Sequence, residues 1–180
     1  ALGLDRAVAC ADLAQWAPPA GRGMRERLML DPADETLSFE LIDDAFNANP
    51  VSMAASLEVI AAARPRDNLG RHAHGRRVAV LGEMLELGPD ELQMHASLAD
   101  LPSVANLDVV HCVGERMQVL YEALPPEKRG RFEKQASVLA AQAARIADAG
   151  DVVLVKGSKG SRVSEVVDAL RKLGHPAPEN

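Results

Sequence analysis

LSFELIDDAFNANPVSMAASLEVIAAAR, residues 37–64, is the stretch that decides the fold. Residues 37–42 are an apolar-rich run of strand length, and over 51–64 apolar residues recur at spacings of four and three, as Met53, Leu57 and Ile60 do, which predicts a helix. A polar turn joins the two, Asp43-Asp44-Ala45-Phe46-Asn47-Ala48-Asn49-Pro50. A strand that feeds a helix through a short turn is the first half of a crossover, and crossovers are what parallel strands need.

The same alternation continues downstream. Short Val/Leu-rich runs stand at 78–81, 109–113 and 152–155, with a weaker candidate at 131–133. Helical spacing predicts helices over 51–64, 89–101, 115–124, 137–149 and 161–173. Strands separated by helices of this length imply a doubly wound, Rossmann-like α/β domain from about residue 22 to 174, its mostly parallel sheet covered by helices on both faces. Upstream, the runs 25–30 and 37–42 flank the turn formers Asp31-Pro32-Ala33-Asp34-Glu35, so the domain opens with an antiparallel hairpin. Residues 4–16 read as one more amphipathic helix, cut off by Pro18-Pro19. A single helix cannot bury its own apolar face, so residues 1–20 read as the tail of a preceding domain and 21–180 as the domain proper.

Composition narrows the function. Of 180 residues 47% are hydrophobic, 26% charged and 3% aromatic, and the net charge is −6. A chain of this length hides about 70% of its unfolded surface and needs no disulfide or metal to fold. Cys10 and Cys112 lie far apart without a CxxC pair, and read as ordinary buried thiols in a reducing compartment. The sequence has no membrane span and no signal peptide, so a cytoplasmic location is expected. The acidic balance and few aromatics speak against nucleic acid as a partner.

In an open parallel sheet, ligands bind beyond the carboxyl ends of the strands, and the chain concentrates its polar residues there. Of the adjacent carboxylates Asp43 and Asp44, alternation lets one at most face a ligand. The bland reading of that turn is a solvated loop in which Asn49 caps the next helix and Pro50 occupies its first turn. The run Lys156-Gly157-Ser158-Lys159-Gly160-Ser161-Arg162 suits an anion cradle of backbone N–H groups, hydroxyls and ammonium groups, or a flexible basic turn. Neither a P-loop nor GxGxxG occurs. His95 stands alone in the helix 89–101, and His72, His74, His111 and His175 have no nucleophile beside them, so a hydrolase triad has no support. The arginine-rich stretch 64–77 reads as a solvated loop.

Taken together, IDDAFNANPVSMAASLEVI (42–60), GRRVAVLGEMLELG (75–88), His95, VHCVGE (110–115) and DVVLVKGSKGSRVSEVV (151–167) closely resemble the C-terminal domain of the Mur ligase family, in the branch that adds D-alanyl-D-alanine. The likeness runs from about Gly21 to Leu173. Phe46 stands where Tyr is commoner and Glu83 where Asp is commoner, changes that keep the chemical type. The resemblance implies the third domain of an ATP-dependent amide ligase acting on UDP-N-acetylmuramoyl-tripeptide and D-alanyl-D-alanine in peptidoglycan precursor synthesis. ATP and Mg2+ would be held mainly by a central P-loop domain, the other two domains of the same polypeptide would be partners, and residues 1–20 would be the central domain's last helix. The fragment would be inactive alone. By the same resemblance Arg22, Asp44 and Asn47 would contact the nucleotide, Asn49, Ser158, Lys159 and Ser161 the incoming amino compound, and no residue of this domain would be catalytic or bind metal. Two rival readings are a free-standing nucleotide or small-molecule binding module and a related ligase for another amino acid.

Overall fold

The computed structural model describes residues 18–176; the helix read at 4–16, most of the tail 1–20, and Cys10 lie outside that range. Seven strands form one sheet: β1 (Met24–Met29), β2 (Ser38–Asp44), β3 (Arg77–Gly82), β4 (Val109–Val113), β5 (Arg129–Glu133), β6 (Val152–Lys156) and the two-residue β7 (His175–Pro176). Their order across the sheet is β5-β4-β3-β6-β2-β1-β7. The strands β5, β4, β3, β6 and β2 run parallel, while β1 pairs antiparallel with both β2 and β7. The Rossmann-like sheet with its opening hairpin is as the sequence implies, and the weak run at 131–133 is an edge strand.

Alternation along the strands divides the interior in two. Phe39, Leu41, Val78, Val80, Val153 and Val155 face one way, onto α5 (Ala136–Ala140), α6 (Ala143–Ile146) and α7 (Ser164–Arg171). Ile42, Ala79, Leu81, Cys112, Val152 and Leu154 face the other, onto α1 (Pro50–Ala61) and the short helices α2 (Glu91–Ala96), α3 (Pro102–Ala105) and α4 (Gln118–Ala123). The central strand β6 is buried at all five positions, as a parallel strand covered on both faces must be. Burial pushes the Cys112 thiol up to about 12, which makes it an inert core group.

Four of the five helices are shorter or more broken than their periodicity predicts. The run 89–101 is α2 followed by a 3-10 turn at Ser97–Asp100, and Pro102 starts α3 in a new direction. The run 115–124 begins as a 3-10 turn, Glu115–Met117, before α4. The run 137–149 breaks where Gln142 turns its amide to the Val138 carbonyl at 3.2 Å and to Glu133 at 3.4 Å. The run 161–173 cannot start as helix because Arg162 sits at φ 59°, in the left-handed region, and α7 begins at Ser164.

The arginine-rich stretch also departs from its reading. Its backbone is largely exposed, but Arg66 donates to the Ser38 carbonyl at 2.6 Å, Arg71 to the Ala147 carbonyl at 3.0 Å, and Arg76 pairs with buried Asp151 at 2.6 Å. Asp151 also accepts the Arg76 and Asp148 amides, at 2.8 and 2.9 Å. These arginines pin the loop to the amino ends of the strands, at the far end of the sheet from the polar turns.

Candidate functional site

At the carboxyl end of β2 the two adjacent carboxylates part, each to its own face of the sheet. Asp43 accepts the Ala45 amide at 3.2 Å and the Arg171 guanidinium of α7 at 2.9 Å, a structural use. Arg171 is held above its ordinary pKa by a hydrogen bond to Glu26, with Asp43 adding to the effect. Asp44 points to the α1 face. Its Oδ2 accepts Ser56 Oγ at 2.6 Å and the Lys156 ammonium at 2.7 Å. Lys156 ends β6, is 1% exposed, and donates a second hydrogen bond to the Asn47 carbonyl at 3.0 Å.

Beyond Asp44 the chain turns into α1 through a reciprocal cap. Asn49 Oδ1 accepts the Ser52 amide at 2.9 Å, Ser52 Oγ accepts the Asn49 amide at 3.0 Å, and Pro50 fills the first turn. The bland reading of Asn49 therefore holds as local structure, and its side-chain amide nitrogen keeps two donors for other use. Asn47 is exposed and accepts the Ala48 amide on its side-chain oxygen at 2.9 Å. Gly21 and Arg22 approach this turn from the start of β1. Gly21 sits at φ 74°, and a side chain there would lie 3.0 Å from the Phe46 Cβ, so the close approach requires glycine. The Arg22 guanidinium covers the Phe46 ring at 4.3 Å, and Lys159 reaches the same ring at 5.9 Å.

Arg22, Asp44, Phe46, Asn47, Asn49 and Lys156 come together as the lining of one open cleft of about 300 Å³. Two cations against one carboxylate favour an anion, and the Asp44 oxygen left over from the Lys156 pair is an acceptor for hydroxyls.

The turn after β6 separates this cleft from a second one of about 200 Å³, lined by Glu83, Gly114, Lys134, Ser161 and Arg162 among others. Ser161 lies there, with its hydroxyl donating to the Ser158 carbonyl at 2.6 Å. Ser158 itself is buried, and its Oγ accepts the Leu85 amide at 3.0 Å and donates to the Ala48 carbonyl at 3.3 Å. Lys159 is exposed between the two clefts. Thus Arg22, Asp44, Asn47 and Asn49 share a surface, while Ser158, Lys159 and Ser161 form the wall beside it. Gly82 and Gly157 allow this crowding: a Cβ on either would stand 2.7 Å from Ser161 Oγ.

The sequence placed Lys156 in the cradle without a partner, marked Phe46 only by its residue type, and gave no sign of Ser56. A lysine closing an otherwise apolar buried strand was the available signal for the first. Phe46 meets Arg22 only through tertiary packing, and Ser56 acts behind the cleft, through Asp44.

A larger cavity, about 520 Å³, lies at the opposite end of the sheet among Leu30, Leu37, Leu69, Ala147 and Leu173. Its lining is mostly apolar, and it is remote from every polar strand-end residue. The chemistry-bearing groups favour the smaller clefts. Among the described residues no three His, Cys, Asp or Glu side chains stand close enough to hold a metal ion, and no helix is long and apolar enough to cross a membrane.

The family described as "Mur ligase, glutamate ligase domain" matches residues 33–159. The chain is 29% identical over 167 residues to the UDP-N-acetylmuramoyl-tripeptide–D-alanyl-D-alanine ligase of Rickettsia prowazekii, covering 93% of this chain and 33% of that protein. It is 34% identical over 173 residues to the ligase of the same name from Mycobacterium tuberculosis, covering 86% and 32%. Among solved structures, MurF ligase from Thermotoga maritima in complex with ADP superposes with TM-score 0.68 at 24% identity, over 91% of this chain and 33% of that one. A MurF structure from Acinetobacter baumannii gives 0.69 at 25%, over 95% and 35%. The chain therefore spans about a third of the length of the relatives it matches. The family match spans well over half of the chain and takes in the Asp43–Pro50 turn of the first cleft, and on that footing the chain belongs to the Mur ligase family.

Proposed function

We propose that this chain is the C-terminal domain of a cytoplasmic, ATP-dependent ligase that joins D-alanyl-D-alanine to UDP-N-acetylmuramoyl-tripeptide. Residues 1–20 are then the end of the central domain and 21–180 the third domain. The observation that carries the reading is the convergence of Arg22, Asp44, Asn47 and Asn49 on one strand-end cleft beside the Ser158–Lys159–Ser161 turn. The names of the relatives supply the substrates.

In this reading the tripeptide carboxylate attacks the γ-phosphorus of ATP and ADP leaves. The dipeptide amine then attacks the acyl carbon, loses its proton, and expels phosphate as the amide bond forms. The chain contributes position to both steps. Asp44, oriented by Lys156 and Ser56, accepts ribose hydroxyls; the Arg22 guanidinium contacts the nucleotide; the 157–161 turn seats the incoming amino compound. Domain closure over the reactants keeps water from the acyl phosphate. In this reading ATP and Mg2+ are held mainly by the central domain, as the family resemblance implies.

The test is phosphate release by the complete polypeptide. Release that requires UDP-N-acetylmuramoyl-tripeptide and D-alanyl-D-alanine together supports the assignment. Equal release with glutamate in place of the dipeptide overturns it in favour of a ligase for another amino acid, and robust ligation by these 180 residues alone overturns the division between domains.

A further inference from the structure

His95 has none of its surface exposed, and both ring nitrogens are engaged. The Met84 amide donates to Nε2 at 2.9 Å, and Nδ1 meets the Glu91 carbonyl at 2.6 Å. An amide N–H only donates and a carbonyl only accepts, so one tautomer satisfies both: the proton on Nδ1, the lone pair of Nε2 on Met84.

The segment held in this way is one the chain does not adopt unaided. Within 83–88, Glu86 sits at φ 62° and Gly88 at φ 80°, and a non-glycine residue in the left-handed region persists only where its surroundings over-determine it. The neighbouring residue Glu83 is tied to the same helix turn through Arg116. The Arg116 amide donates to Glu83 Oε1 at 2.9 Å, and Arg116 Nε donates to Glu91 Oε2 at 2.8 Å. The loop in turn seats Ser158. The Ser158 amide donates to the Glu83 carbonyl at 2.9 Å, the Leu85 amide donates to Ser158 Oγ at 3.0 Å, and Ser158 Oγ reaches the Ala48 carbonyl at 3.3 Å.

We propose that His95 is a positioning residue for the strand-end crevice. By accepting the Met84 amide it fixes the 83–88 loop, and through Glu83 and Leu85 it fixes Ser158 and the turn that divides the two clefts. Its effect on geometry stands independently; its effect on catalysis rests on the ligase reading above.

Nuclear magnetic resonance on the 180-residue chain tests the geometry. A scalar coupling across the Met84 N–H···Nε2 hydrogen bond is expected in the unsubstituted protein, and its absence overturns the proposal. His95→Gln offers an amide oxygen to Met84, while His95→Leu offers nothing and leaves a buried donor unpaired. Exchange of the Met84 and Leu85 amides should accelerate about tenfold or more in His95→Leu and less in His95→Gln, with Val153 in the central strand unchanged. Equal acceleration at Val153, or full protection of Met84 in His95→Leu, overturns it. Should His95→Leu fail to fold, the coupling in the unsubstituted chain and the exchange of His95→Gln still decide.

In the complete enzyme, His95→Leu should raise KM for the amino compound several-fold more than KM for ATP, with His95→Gln recovering part of the loss. A fall in kcat with both KM values unchanged refutes the positioning role. If the complete polypeptide ligates nothing, the ligase reading fails while the coupling and exchange results still judge His95.

Discussion

Asp44 and Lys156 stand opposite each other in the parallel register of β2 and β6 and close an ion pair of 2.7 Å at the strand ends. The lysine side chain is 2% exposed and the carboxylate 20%, so the two partners depend on each other unequally. Lys156 and Ser56 both bind Oδ2, so Oδ1 takes part in neither contact.

The first prediction follows from that asymmetry. Asp44→Asn strands a buried ammonium and should cost about 3 kcal/mol, whereas Lys156→Met fills similar volume and leaves a carboxylate that water still reaches, costing about 1 to 2 kcal/mol. Urea unfolding of the two variants measures the difference. The opposite order would mean that Lys156 is not the dependent partner.

At the other end of the sheet, Asp151 is 1% exposed and holds Arg76 together with two backbone amides. Asp151→Asn removes the charge that Arg76 needs and turns one acceptor oxygen into a donor. The expected loss is about 3 kcal/mol, read from denaturant midpoints, with the 64–77 loop becoming protease-sensitive. Stability within about 0.5 kcal/mol of the parent would show that the arginines decorate the loop and do not anchor it.

The folding code was unevenly legible. Parallel strands such as 78–81 and 152–155 announce themselves because burial on both faces demands continuous apolar residues, and the Asn49-Pro50 cap follows from local chemistry. The breaks within 89–101 and 137–149 did not, because apolar spacing of three and four is the same for one long helix and for two short ones set at an angle. Arg22, Asp44, Asn47 and Asn49 were legible as strand-end polar residues. The anchoring of Arg66, Arg71 and Arg76 was not, since their partners lie far away in sequence: Ser38 for Arg66, Ala147 for Arg71 and Asp151 for Arg76.

His111 supplies a pH prediction. Burial first, then the charges of Arg76 and Arg131, bring its imidazole from 6.5 down to about 4, and Nδ1 accepts the Arg131 amide at 2.9 Å. Above pH 6.5 folded and unfolded chains are both neutral at this position. As pH falls below 6.5 the unfolded chain takes up a proton that the folded site refuses, so stability falls until about pH 4 and then levels. The loss over that window is about 3 kcal/mol. His111→Gln keeps an acceptor and should flatten the decline between pH 6.5 and 4 relative to the parent; an unchanged slope contradicts the assignment.

Gly157 tests the seating of the dividing turn. In Gly157→Ala the new methyl group meets Ser161 Oγ at 2.7 Å and the Gly82 Cα at 3.0 Å, and backbone cannot yield as a side-chain tip can. The cost should be about 1 to 3 kcal/mol, with amide shifts concentrated at 82–85 and 157–163. Shifts confined to residue 157 and its chain neighbours would show that the turn is loosely held.

In the proposed function, the cleft at the carboxyl ends of the strands is half of a nucleotide site. Titration of the isotope-labelled 180-residue chain with millimolar ADP, followed by amide resonances, probes that half-site. The predicted result is saturable amide shifts at Gly21, Arg22, Asn47 and Asn49, abolished in Asp44→Ala, with Leu30, Leu69 and Ala147 around the larger cavity unmoved. Shifts centred on that larger cavity, or none at the strand-end cleft, would contradict it.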